Sequence, residues 1–133
     1  MKRAVAAGAA LLLAGSALAQ GPCAPAADVA PRDLLGVWKA EFQGSWEGAT
    51  LRLEPHPEYA ESFRGTLERA GSRAQVAGDL EDGEFTLEES ADGVHIAAAW
   101  LGDVVEGSCG REIRGTWTRD GETAGRGFVL RKQ

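Results

Sequence analysis

Leu34-Leu35-Gly36-Val37-Trp38-Lys39-Ala40-Glu41-Phe42 decides the fold of this chain. Gly36, Trp38, Ala40 and Phe42 share one parity, and Val37, Lys39 and Glu41 the other. Strict alternation with aromatic and β-branched content predicts a half-buried strand. The same step of glycine followed by a bulky residue returns at Gly65-Thr66-Leu67, Gly78-Asp79-Leu80 and Gly115-Thr116-Trp117. A sheet that curls on itself crowds its inner side, and a residue without a side chain relieves that crowding. The pattern predicts an all-β chain closed into an antiparallel barrel.

Working outward, the first strand's face is expected to continue through Gly44 to Trp46. Leu51 and Leu53 face inward on a second strand. Pro55-His56-Pro57-Glu58-Tyr59 breaks the ladder, because proline has no N–H to donate. Phe63 and Leu67 mark a third strand, and Val76 and Leu80 a fourth, with Ala70-Gly71 turning the chain between them. Asp82-Gly83, Asp92-Gly93 and Asp120-Gly121 read as hairpin turns, since Asp and Gly tolerate the positive φ such turns need. Phe85 and Leu87 then form a fifth strand. Val94, Ile96, Ala98 and Trp100 form a sixth, with a bulge or bend expected at Gly102. Ile113 and Trp117 belong to a seventh, Phe128 and Leu130 to an eighth. Short connections favour pairing between sequence neighbours, giving an eight-stranded antiparallel up-and-down β-barrel. A two-sheet β-sandwich is the alternative. Trp38, Trp100 and Trp117 are expected in one common interior.

The chain has 133 residues and a net charge of −6. Met1-Lys2-Arg3, an apolar run from Ala4 to Ala14, and Ala17-Leu18-Ala19 form the three parts of a secretory signal peptide, residues 1–19. Residues 20–33 read as a linker, in which Pro31 to Leu35 can form one helical turn, and 34–133 as the barrel domain. Removing residues 1–19 leaves 114 and takes away Lys2 and Arg3, so 12 basic residues face 20 acidic ones, a balance of −8. That disfavours nucleic acid and anionic membrane as partners. No segment after the signal is apolar enough to insert in a bilayer. Cys23 and Cys109, in an exported chain, are expected to pair and to pin the N-terminal tail to the barrel.

Leu34-Leu35-Gly36-Val37-Trp38 after a helical turn resembles the opening of a lipocalin, whose first strand carries a Gly-x-Trp step. The meander and the late basic residues Arg126 and Arg131 resemble the wider calycin group, which includes the avidin-like barrels. The resemblance implies a small barrel, small-ligand binding, and Arg126 or Arg131 packed over Trp38. The chain is short for a lipocalin, a second lipocalin motif is missing, and the polar residues that ring biotin in avidins have no counterparts.

Catalytic constellations are scarce. His56 and His95 are the only histidines. His56 lies beside Glu58 in the proline loop, but a metal site needs three or four ligands. Ser108 has neither a nucleophile elbow nor a base. Glu81, Asp82, Glu84, Glu88 and Glu89 are expected to face solvent. Trp46 and Tyr59, placed at one barrel mouth, and Trp100 are the candidate ligand- or partner-contacting aromatics. The expectation is an exported, periplasmic or secreted, non-enzymatic barrel that needs no cofactor. It binds a small apolar or ring-bearing ligand or an envelope protein. A hydrolase acting through carboxylates, and a structural envelope protein without a site, are the alternatives.

Overall fold

Alternation of apolar and polar residues gives strands whose inner faces must be hidden together, and closure of the sheet hides them all at once. The computed structural model describes residues 23–133; the signal-peptide segment lies outside the described residues. The strands are Gly36–Phe42 (β1), Ala49–Pro55 (β2), Ser62–Arg69 (β3), Ser72–Glu81 (β4), Glu84–Ser90 (β5), Ala98–Val104 (β6), Glu112–Arg119 (β7) and Arg126–Lys132 (β8). Each pairs antiparallel with its sequence neighbour, and β1 pairs β8, which closes the eight-stranded barrel. Closure removes the sheet edges that a sandwich would leave.

The interior is filled. Trp38, Trp100, Phe63, Phe85, Leu51, Leu87, Ile113 and Leu130 are all essentially inaccessible to solvent. Aromatic rings meet edge-on or tilted, arrangements that ring quadrupoles favour over a face-to-face sandwich. Trp100 lies 4.8 Å from Phe128 and 5.3 Å from Phe42, centroid to centroid. Eight strands enclose a space that side chains of this size occupy completely. The glycine steps explain how the wall bends. A Cβ on Gly65, Gly78 or Gly115 would collide with the carbonyl oxygen of Arg52, Thr86 or Leu101 on the adjoining strand. Gly102 faces Gly115 within a regular β6–β7 register, so it marks a close approach of two backbones and not a bulge.

One end of the barrel is closed by the chain itself. Short 3-10 turns at Ala26–Asp28 and Pro31–Leu34 run across it. The disulfide Cys23–Cys109, with 4.9 Å between Cα atoms, ties the tail to the loop between β6 and β7. Val29 and Leu34 are buried against the barrel, so the predicted linker, residues 20–33, contributes Val29 to the core. Trp38 Nε1 donates to the Leu34 carbonyl at 2.8 Å, and Lys132 Nζ donates to the Asp33 carbonyl at 2.7 Å. The basic residue in register with Trp38 is therefore Lys132. Arg131 points outward, bridging Glu41 at 3.0 Å and Glu112 at 3.2 Å. The Glu41 carboxylate, chiefly through that hydrogen bond, raises the Arg131 pKa above its ordinary value. Arg126 sits at the opposite end of β8, so neither arginine takes the position over Trp38 that the resemblance implied.

Two other expectations are corrected. Strand β1 stops at Phe42, where the Ser45 N–H donates to the Phe42 carbonyl at 3.2 Å and turns the chain. Val94 and Ile96 do not face inward; they are 79% and 48% exposed, in a connection of residues 91–97 that precedes β6. The cause is Asp92, whose Oδ1 accepts from the Val94 and His95 N–H groups, each at 2.8 Å. This side-chain turn competes with the tight backbone hairpin that Asp92-Gly93 suggested.

Candidate functional site

In an up-and-down barrel alternate connections emerge at alternate ends. The connections 56–61, 82–83 and 105–111 belong to the closed end, and 43–48, 70–71, 91–97 and 120–125 to the other. This second end is open, and its inner parity turns polar. On β3 the inward series Phe63, Gly65, Leu67 continues to Arg69. On β5, Phe85 and Leu87 are followed by Glu89. On β7, Trp117 is followed by Arg119. On β8, Phe128 is preceded by Arg126. An inner ring of charge therefore caps an apolar interior.

The ring has a fixed centre. Arg69 Nη2 donates to Glu89 Oε1 at 3.1 Å, and Trp117 Nε1 donates to Glu89 Oε2 at 2.7 Å. Both carboxylate oxygens are thus engaged, one by a cation and one by a neutral donor. Glu89 is 4% exposed, which corrects its expected solvent-facing position. The Arg69 guanidinium lies 5.1 Å from the Phe42 ring centre and 4.9 Å from that of Trp117. Arg119 lies 5.5 Å from the Trp117 ring centre. A buried carboxylate is tolerable only when paired in this way, and a guanidinium is stabilised by aromatic faces.

Three clefts open at this end, and Arg69 lines all of them. One, of about 520 Å³, runs beside the β3–β4 turn; the other two, each about 240 Å³, share Trp117 and Arg119. Five basic residues line the three clefts, Lys39, Arg69, Arg73, Arg119 and Arg126, against four acidic ones, Glu47, Glu68, Glu89 and Glu122. The cleft linings are therefore slightly basic in a chain with 14 basic and 20 acidic residues, while Asp92 and Asp120 stand in the connections of the same end.

The predicted aromatics do not converge. Trp46 is fully exposed in the connection 43–48 of the open end. Tyr59 is 61% exposed at the closed end, its ring 4.9 Å from that of His56. Trp100 lies in the core, and its Nε1 has no hydrogen-bond partner among the described residues. The residues that the sequence reading missed, Arg69, Glu89 and Arg119, carry a signal after the fact: each continues the inward parity one step past the last large apolar residue.

No acidic pair suited to acid–base chemistry forms around Glu89, whose partners are Arg69 and Trp117. His56 Nδ1 accepts from the Glu58 and Tyr59 N–H groups at 3.1 and 3.2 Å, so it shapes its own loop. His95 Nδ1 meets Asp92 Oδ2 at 2.6 Å on the surface. Among the described residues no three His, Cys, Asp or Glu side chains gather in a metal-binding group. Comparison with protein families and with curated proteins gives no match for this sequence.

Proposed function

We propose that this is an exported, non-enzymatic binding barrel that takes a small ring-bearing molecule at its open end. The observation that carries the reading is the asymmetry of the two ends. The N-terminal segment covers one, while the other presents Phe42, Arg69 and Trp117 in a fixed arrangement beside open clefts. Sites that bind small molecules combine apolar walls with a few fixed polar groups. A cleft of about 240 Å³ has room for about eight waters at ~30 Å³ each, the size of one substituted ring. The filled interior directs the ligand to the rim and not to a deep calyx.

Export is supported by the leader-like first 19 residues and by the Cys23–Cys109 bridge, which persists in oxidising compartments. The outer wall carries exposed Arg52, Arg64, Glu68 and Glu88, where a lipid-facing barrel would carry an apolar band.

Native mass spectrometry of the protein recovered from its own source tests the reading, together with titration by neutral ring compounds followed at the Trp117 indole N–H. A retained small mass, or a Trp117 signal that moves while Trp38 stays still, supports it. A bare chain whose Trp117 signal no ring compound moves overturns it.

A second reading, an envelope protein docking on the same end, is favoured by one observation. Trp46 is fully exposed in a connection of the open end, and tryptophan is enriched among interface hot spots. Co-purification that Trp46→Ala abolishes would support it; unchanged recovery would count against it.

A further inference from the structure

We infer that the cleft between the β3–β4 turn and the start of β6 is an anion site, and that its ligand is a small aromatic carboxylate or a molecule of the same chemistry. The inference deepens the binding reading above and rests on it. Of the two smaller clefts at the open end, this one carries two cations on inward positions, Arg69 and Arg119, a third, Arg73, at its outer edge, and one acid, Glu89. Each oxygen of Glu89 accepts one hydrogen bond, from Arg69 and from Trp117. The lining keeps an excess positive charge in a chain whose net charge is −6.

The donors are available. A guanidinium has five N–H groups. Among the described residues Arg69 gives a hydrogen bond only to Glu89, and neither Arg73 nor Arg119 makes a side-chain hydrogen bond or ion pair. Glu68 stands opposite Arg73 in the β3–β4 register, on the outer face, without pairing to it. Planar guanidinium forks fit carboxylate oxygens two at a time. Arg69 is also held in place, by Glu89 on one side and by the Phe42 and Trp117 rings, so little of its freedom remains to be lost on binding.

The rest of the lining sets the body of the ligand. Ala74, Ala97 and Ala98 give a shallow apolar floor, and Trp117 gives an aromatic wall. A volume of about 240 Å³ suits one ring with its acid group. Small alanines let a flat ring lie close to the backbone, where leucines would fill the space.

Three probes of one shape test this: benzoate, benzamide and benzylamine. Each is titrated into the full mature chain, with the Trp117 indole N–H followed by NMR and binding measured by calorimetry. Benzoate is expected to bind at least ten-fold more tightly than benzamide, and benzylamine more weakly still. The double variant Arg73→Ala/Arg119→Ala is expected to weaken benzoate at least ten-fold and benzamide by much less. Both residues lie at the exposed rim, so the variant keeps the core intact. Raising salt from 50 to 500 mM should weaken benzoate alone. If benzoate and benzamide move Trp117 with equal affinity, the anion assignment falls and the binding reading stands. If benzoate binds without moving Trp117, or binds the double variant as well as the parent, the assignment falls. If no probe moves Trp117, both fall.

Discussion

Trp117 Nε1 on β7 donates to Glu89 Oε2 on β5 at 2.7 Å, reaching past β6 across the barrel's mouth. Arg69 on β3 holds the other oxygen of the same carboxylate at 3.1 Å. Three alternate strands are thereby tied together from the inside, at a level where the apolar core has ended. The tie fixes the shape of the open end, which the binding reading needs.

Removing the carboxylate should be costly because it strands its partners. Breaking a fully buried ion pair costs about 3–5 kcal/mol. The Arg69 side chain is 25% exposed, so water takes up part of that loss. Glu89→Ala is expected to lower stability by about 2–3 kcal/mol in urea unfolding. Glu89→Gln should cost less, since its amide oxygen can still accept from Trp117. The indole N–H resonance of Trp117 should move upfield in Glu89→Ala and less in Glu89→Gln. A loss under about 0.5 kcal/mol in Glu89→Ala would show that the tie does not hold the mouth.

The wall glycines make a separate prediction. A Cβ at Gly115 would meet the Leu101 carbonyl and the Gly102 Cα, both backbone atoms that cannot step aside. Gly115→Ala should therefore destabilise by about 2–3 kcal/mol, the upper part of the range for overpacking. Gly127 is a strand glycine of another kind, because a Cβ there meets the Gln43 side chain at 2.9 Å, and that side chain can swing away. Gly127→Ala should change stability by about 0.5 kcal/mol or less. Equal costs at the two positions, read from paired denaturation curves, would remove the crowding explanation.

Period-two alternation made the barrel legible, because closure turns one parity of every strand inward. Trp38, Phe63, Phe85, Trp100 and Leu130 are buried where alternation put them. What the pattern could not carry was the point at which each strand stops. Val94 and Ile96 continue the parity of Trp100, yet the Asp92 side chain captures the N–H groups of Val94 and His95 and delays the strand to Ala98. The mouth was hidden for a related reason. Arg69, Glu89 and Arg119 hold inward positions, but an isolated charge on an amphipathic strand looks the same whether it caps the interior or faces water. Only register shows that β3, β5 and β7 reach the same end at the same height. The resemblance to calycins carried the barrel but misplaced its basic residue, since the Trp38–Lys132 register is set by β1–β8 closure.

The disulfide should act on the closed end before it acts on the barrel. Cys23 and Cys109 are 86 positions apart, and the chain-entropy picture gives such a bridge roughly 4–5 kcal/mol. The double variant Cys23→Ser/Cys109→Ser is expected to lose about that much in guanidinium unfolding. Below the transition, its residues 24–30 should become accessible to amide exchange while β1 to β8 stay protected. The Trp38–Leu34 hydrogen bond lies on the barrel side of this boundary, so the Trp38 indole N–H should keep its protection. Loss of protection in β1 and β8 together with the tail would show that the bridge supports the barrel as a whole.

Acid should loosen the connection 91–97 in a way that depends on Asp92. Its carboxylate is held well below its ordinary value, first by the His95 side chain, then by the His95 and Val94 N–H groups and the Ser90 hydroxyl. Each of those donors favours the charged form. A pKa lowered on folding contributes stability that is fully present above the unfolded value of 3.8 and is lost as pH falls through the lowered one. Above about pH 4, therefore, the Asp92 carboxylate stays charged and the Val94 and His95 N–H groups keep their acceptor. Below about pH 4 protection should decline steadily. Asp92→Ala should remove it at every pH, because alanine offers no acceptor to either N–H. Exchange in Asp92→Ala that matches the parent at pH 6 would show that the connection is shaped by something other than this carboxylate.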